Sequence, residues 1–212
     1  RLNQVSDVFV ALVERLINDI DVQQLQSYPF RLLVDSLPII LANNNRSSRA
    51  RVALEIADKG FCDAKDMFYH GVKLHIAGKD RDSALPIPTI VGITPASNHD
   101  LSAFRGVLPG IYNCDIFTDK AYIDHHLQLD LRENQGVFLS TPIKRKKGQT
   151  ILDSADRLYS KAVSSIRQPI ESFFNWLEEK TGIQRASKIR SYRGLLVHVF
   201  GRMAAGIMLL EI

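Results

Sequence analysis

The sequence predicts an α/β fold, a mixed sheet covered by helices on both faces. Three observations lead there. Residues 68–77 alternate apolar and polar and are followed by a second strand-like run over 87–94, the pattern of an antiparallel meander. Beyond 98, short helical and strand-like runs alternate, the order that covers a sheet with helices. Long stretches near both ends repeat apolar residues at helical spacing. At ~150 residues per domain, 212 residues suit one sizeable domain with an appendage. A composition of 45% hydrophobic and 24% charged residues excludes a disordered chain, a collagen-like repeat and a small disulfide scaffold.

Each element has its own signature. Residues 6–20 read as an amphipathic helix, with Val8, Val10, Leu12, Val13, Leu16, Ile17 and Ile20 on a broad apolar face and Asp7 near its start. Pro29 and Pro38 bracket a short apolar strand that ends at Asp35. Residues 42–66 begin polar and basic and read as a loop holding Arg46, Arg49 and Arg51. Gly78, Lys79 and Asp80 form the turn between the two meander strands. Asn98, His99 and Asp100 supply capping or supporting polar groups for a short helix. A strand over 113–119 again ends on an aspartate. A helix over 120–133, a strand over 137–140 and a basic loop over 141–150 follow. Residues 154–180 are helical, with a break or restart expected near Pro169, and a last helix spans 191–212. Its apolar part is interrupted by His198, Arg202 and Glu211, which indicates a buried helix and not a membrane span.

Cys62 and Cys114 are the only cysteines, which suits a reducing compartment. The chain opens on Arg1 without an export signal and reads as a fragment of an intracellular protein. The net charge of +4 and pI near 9.1 permit a nucleic-acid partner without requiring one.

Three acids stand out by position. Asp35 and Asp119 end apolar strands, where ligand sites form in open α/β sheets, and Glu171 lies on an apolar helix. Three carboxylates brought together repel unless a cation offsets them, and hard oxygen ligands of this kind suit Mg²⁺ or Mn²⁺. Two such ions serve in-line phosphoryl transfer. The alternative is that each aspartate is only a cap or turn residue. Spacing and charge leave both readings open.

The flanking residues carry a resemblance. VDSLPI around Asp35, the YHGVKLHIAG strand, ITPASNHDL, TDKAY around Asp119 and IRQPIESFFNWLE around Glu171 occur in one order. Together they resemble the catalytic domain of bacterial insertion-sequence transposases of the DDE type, from about Leu32 to the C-terminus. The resemblance implies a ribonuclease-H-like fold, with a mixed five-stranded sheet, its first three strands antiparallel, flanked by helices. It implies that Asp35, Asp119 and Glu171 form a catalytic triad holding two Mg²⁺, with Mn²⁺ as a substitute. The interval between Asp119 and Glu171 leaves no room for the large β insertion of some relatives. Of the family signature Tyr-x2-Arg-x3-Glu-x6-Lys, Arg167 and Glu171 match, while Ser164 and Glu178 stand at the other positions. Arg167 is thereby implied as a DNA-phosphate contact. The spacing of four also permits a plain ion pair with Glu171.

The resemblance further implies cleavage of phosphodiesters at insertion-sequence ends and transfer of the 3′-OH to target DNA. The partners are double-stranded DNA, both terminal inverted repeats and target, and a second copy in a homodimer on DNA. The location is the bacterial cytoplasm, with no membrane. A metal-dependent nuclease of the same fold and an inactive DNA-binding remnant are the alternatives. Residues 1–28 read as the remnant of an N-terminal helical region and 29–212 as the catalytic domain. Beside such a site, Lys120, the run Lys144, Arg145, Lys146 and Lys147, the group Arg185, Lys188, Arg190 and Arg193, and Arg46 and Arg49 are candidate phosphate contacts. The alternative for each is a solvated surface charge. His125 and His126 lack a second pair of ligands at zinc spacing, and Trp176 reads as core.

Overall fold

The computed structural model describes residues 2–24 and 30–210. Pro29, the boundary expected at 28/29 and the last two residues of the final helix lie outside them. Helix α1 (Leu2–Gln24) is followed by strand β1 (Phe30–Asn43), the four-residue α2 (Asn44–Ser47), β2 (Asp58–Cys62), β3 (Met67–Lys79) and β4 (Ile87–Pro95). Then come α3 (Asp100–Arg105), β5 (Cys114–Phe117), α4 (His125–Gln135), β6 (Phe138–Ser140), α5 (Ser154–Thr181) and α6 (Tyr192–Leu210).

The strands form one mixed sheet. β3 pairs antiparallel with β1 along one edge and with both β4 and β2 along the other, while β5 and β6 extend from β1 in parallel. Leaving β2 aside, the order is β4-β3-β1-β5-β6. Its first three strands in the chain are antiparallel, as expected, and the arrangement is compatible with a ribonuclease-H-like fold. β2 is a sixth strand inside the stretch expected to be a loop. β4 covers β3 only from Val72 onward, so β2 takes the remaining edge from Met67 to Gly71. Its Gly60 lies against Ala96 with no room for a side chain.

Strand alternation divides the core. Odd-numbered Leu33, Leu37, Ile39 and Leu41 of β1 and even-numbered Val72, Leu74 and Ile76 of β3 meet α5 and α6. Leu32, Val34, Ala77 and Ile116 face the other way and pack on Phe104, Tyr122 and Leu131 around α3 and α4. Helix α5 turns Val163, Ile170, Phe173, Phe174 and Leu177 to the sheet, with Trp176 partly buried beside them. α6 is long and apolar enough to cross a membrane, but it buries Leu195, Val199, Met203 and Ile207 in the same core. α1 packs on α6 and buries Val13 there. Cys62 and Cys114 are free and buried.

Several boundaries differ from those expected. β1 does not end at Asp35 but continues to Asn43, carrying Pro38 within it. β5 extends only to Phe117, so beyond Leu33 the pairing of β1 is with β3, and a proline there is tolerated on the side β5 leaves free. The turn after β3 begins later, because Gly78 and Lys79 still pair with β1. The helix expected from 120 starts at His125. Asp124 caps it by accepting the His126 and Leu127 backbone N–H groups, while 120–122 form a separate 3-10 turn. α5 does not break at Pro169 but runs unbroken from its cap Asp153 to Gly182 in the left-handed conformation.

Candidate active site

The parallel register of β1 and β5 brings the two aspartates together. Arg31 pairs with Asp115 and Leu33 with Phe117, so two residues further along β1 stands Asp35 and two residues past the end of β5 stands Asp119. By alternation both continue the row of Leu33 and Phe117, on the face covered by α5. Asp119 lies two residues past the end of β5, not on its last residue. It caps the 3-10 turn, its Oδ1 accepting the Ala121 N–H at 2.7 Å. Asp35 Oδ1 accepts the Ser36 N–H at 2.8 Å.

Arg167 on α5 closes the group. Its Nη2 donates to Asp35 Oδ2 at 2.8 Å and lies 3.1 Å from Glu171 Oε1. Arg167 and Asp35 are largely enclosed, with side chains 12% and 18% exposed, whereas Glu171 is 53% exposed. One guanidinium therefore links two of the three expected acids. Arg167 Nε is buried without a partner among the described residues. As arranged, no three His, Cys, Asp or Glu side chains among the described residues stand close enough to share a metal ion.

The electrostatics follow from burial. Asp35 is pushed from 3.8 up to about 6, because burial outweighs the Arg167 charge and hydrogen bond, and Asp119 adds repulsion. Burial likewise raises Asp119, against the Ala121 hydrogen bond and the Arg167 charge. Burial pulls the Arg167 guanidinium down, but the charge and hydrogen bond of Asp35, with Glu171 and Asp119, leave it above its ordinary value.

A second polar layer lies on the opposite face of the sheet. Asp100 Oδ1 accepts from Lys73 Nζ at 3.0 Å and from Ser36 Oγ at 3.2 Å. Asp100 thus supports Ser36, whose N–H holds Asp35, and its charge adds to the rise of Asp119. Tyr122 buries its hydroxyl with no partner among the described residues. Burial, with Asp100, Asp35 and Asp119 nearby, drives its ionisation far above the usual range. Sequence reasoning placed Lys73 on the polar side of its strand and gave Asp100 a capping or supporting part. It gave no sign that the two meet behind Asp35.

The matching family model covers residues 30–191 and is described as a transposase DDE domain. The chain belongs to that family. No curated protein and no solved structure matches it. Within this transposase domain, Lys120, Lys144, Arg145, Lys146, Lys147, Arg46 and Arg49 are all exposed. Among the described residues, no hydrogen bond or ion pair joins them to the three acids. Arg185 and Lys188 meet at a separate cleft, where Arg185 Nε lies 3.3 Å from Glu178 Oε1. Arg190 donates to the Ser187 and Ile189 carbonyls, and Arg193 is exposed.

Proposed function

We propose that this transposase domain cleaves phosphodiesters at insertion-sequence ends and transfers the freed 3′-OH to target DNA, with Asp35, Asp119 and Glu171 as its catalytic acids. The observation that carries this reading is the β1–β5 register, which puts Asp35 beside Asp119 under the helix that bears Arg167 and Glu171. The donor set fits a hard divalent cation. It consists of carboxylates, two of them raised by burial, and the one cation among them is the Arg167 guanidinium between Asp35 and Glu171. Two Mg²⁺ or Mn²⁺ ions held by these acids would supply Lewis acidity to the attacking and leaving oxygens.

The chain's own residues do the rest. Asp35 and Asp119 are fixed by the backbone N–H groups of Ser36 and Ala121, so their outer oxygens are oriented before substrate arrives. With cations held on the acids, Arg167 would be free to turn from Asp35 to a DNA phosphate. In the first reaction a water oxygen bonds to phosphorus, the P–O3′ bond breaks, and the 3′ oxygen leaves as a hydroxyl. In the second that 3′-OH bonds to a target phosphorus and a target 3′ oxygen leaves. Lys120, the 144–147 run, Arg190, Arg193, Arg46 and Arg49 are proposed to steer and hold the duplex through its phosphates. Action at two ends calls for a homodimer on DNA, in the cytoplasm.

A duplex carrying candidate ends and a supercoiled target, incubated with Mg²⁺ or Mn²⁺, tests this reading. Nicking followed by joining is the expected result, with Asp119→Ala and Glu171→Gln each reduced at least 100-fold in both steps. Full cleavage by either variant would overturn the assignment, and cleavage without joining would identify a nuclease.

A further inference from the structure

A cavity of about 310 Å³ lies between the sheet and α3, on the face opposite the acids. Strand pairing sets its floor. Val34, Ala77 and Ile90 stand in one row across β1, β3 and β4, and Ser36, His75 and Gly92 stand in the next. Gly92 leaves the second row without a side chain over β4, and nothing lies within 4 Å of the place its Cβ would take. That missing side chain opens the space. Phe104 and Val107 form the roof, and Tyr122 lines the cavity with its ring held edge-on to Phe104, the centroids 5.5 Å apart. Gly92, Thr94 and Val107 are half-buried, so the cavity meets solvent on their side.

Its polar groups are few and uncharged. Tyr122 is 1% exposed, and its hydroxyl has no partner among the described residues. A phenol is protonated at neutral pH, so Tyr122 holds an unused donor, and a buried donor left unpaired costs stability. His75 Nε2 and Thr94 Oγ1 pair at 2.7 Å. Burial holds the His75 pKa below its ordinary value, with Asp100 raising it and Lys73 lowering it, so the ring is neutral. Among the described residues, no charged side chain lines the cavity. A phosphate or carboxylate would find no cation there, and the Asp100 charge near Tyr122 would repel it.

Size and polarity together define a ligand. An apolar cavity of about 150 Å³ holds benzene, so this one has room for about two fused rings. Its apolar floor and roof suit the two faces of a flat molecule. We infer that this cavity is a binding site for a neutral, flat, two-ring aromatic molecule bearing one acceptor that receives the Tyr122 hydroxyl. The inference is independent of the DNA-processing reading and uses none of its acids. An occupant would stand against the strand that carries Asp35 and the 3-10 turn that Asp119 caps.

The probe is 2-acetylnaphthalene, titrated into the full chain and followed by saturation-transfer NMR. Saturable binding at one site is expected. Gly92→Leu fills the space without a clash and, with its sheet intact by circular dichroism, should weaken binding roughly 10-fold or more. Tyr122→Phe removes the unpaired hydroxyl. It should weaken 2-acetylnaphthalene about 10-fold and leave naphthalene, which has no acceptor, unchanged. 2-Naphthoate has the same shape but a charge, and should bind roughly 10-fold more weakly or worse than the neutral probe. No saturable binding, binding untouched by Gly92→Leu, an equal effect of Tyr122→Phe on both neutral probes, or equal binding of 2-naphthoate would overturn the site. Single-stranded oligonucleotides should not displace the probe. Displacement by a purine strand but not by a pyrimidine strand of the same length would identify a DNA base as the occupant and overturn the assignment to a free molecule.

Discussion

Arg167 donates to Asp35 while touching Glu171, so the oxygens proposed to hold cations already face one. Charge balance then makes Arg167 a competitor of the metal before DNA arrives. Arg167→Gln is expected to tighten Mn²⁺ binding to the DNA-free chain several-fold, measured by paramagnetic resonance titration, while weakening binding to duplex DNA. Unchanged Mn²⁺ affinity would mean that the guanidinium leaves the acids at no cost. Asp35 carries a second prediction. Its folded carboxyl, at about 6, binds a proton more tightly than the unfolded one at 3.8. That contribution is fully present below about pH 4 and is lost as pH rises through about 6. It amounts to about 3 kcal/mol at about 1.4 kcal/mol per unit. Asp35→Asn cannot ionise, so metal-free urea unfolding should show the variant gaining on the wild type by roughly that amount between pH 4 and pH 7. Equal shifts in both proteins would place the titration elsewhere. At this scale the acids and Arg167 were legible, because ordered motifs flank them. The Lys73–Asp100–Ser36 layer was not, because a contact between a strand, a helix start and a neighbouring strand leaves no periodic trace in the chain.

Helix α5 holds both Arg167 and Glu171, with Pro169 between them. The sequence suggested a restart there, since proline lacks an N–H and crowds the preceding turn. Burial of Ile170, Phe173, Phe174 and Leu177 on the sheet outweighs that local preference, and the helix continues. Pro169→Ala restores a donor to the ladder and should raise stability by about 1–3 kcal/mol in urea unfolding. No gain would mean the helix geometry at 165–169 cannot accept the bond. Strand β2 escaped detection for the opposite reason. Asp58–Cys62 contains Gly60 and two charges, so its strand state comes from the vacant edge of β3 and not from propensity. Asp35 was expected at a strand end and stands in mid-strand. What ends beside it is β5, a property of the pairing that β1 alone does not encode.

Across the whole molecule, one apolar cluster joins α1, the sheet, α5 and α6. Val13 is 2% exposed, and Phe9 packs against Gly201 of α6. Removing residues 2–24 would uncover an apolar stripe on α6. The shortened chain is expected to melt several degrees lower and to self-associate in size-exclusion chromatography, with the sheet retained by circular dichroism. An unchanged melting temperature would show that α1 adds nothing to the core. The broad division into a meander followed by alternating strands and helices was legible in the sequence because each half has its own periodicity. How the α5–α6 connection meets β1 was not, since it rests on two backbone hydrogen bonds made by Ile40 that no side-chain pattern announces.

Those two bonds have a geometric consequence. Asp35 and Ile40 belong to one strand, and Glu171 and Thr181 to one helix, so each end of the strand–helix pair is tied to the other by two stiff members. The four members form a closed frame, shut at one end by the Arg167–Asp35 ion pair and at the other by the backbone of Ile40. A frame closed at both ends resists shear, so the helix cannot slide along the strand without breaking one closure or the other. The distance between the acid cluster and the α5–α6 connection is thereby set by the lengths of β1 and α5 themselves.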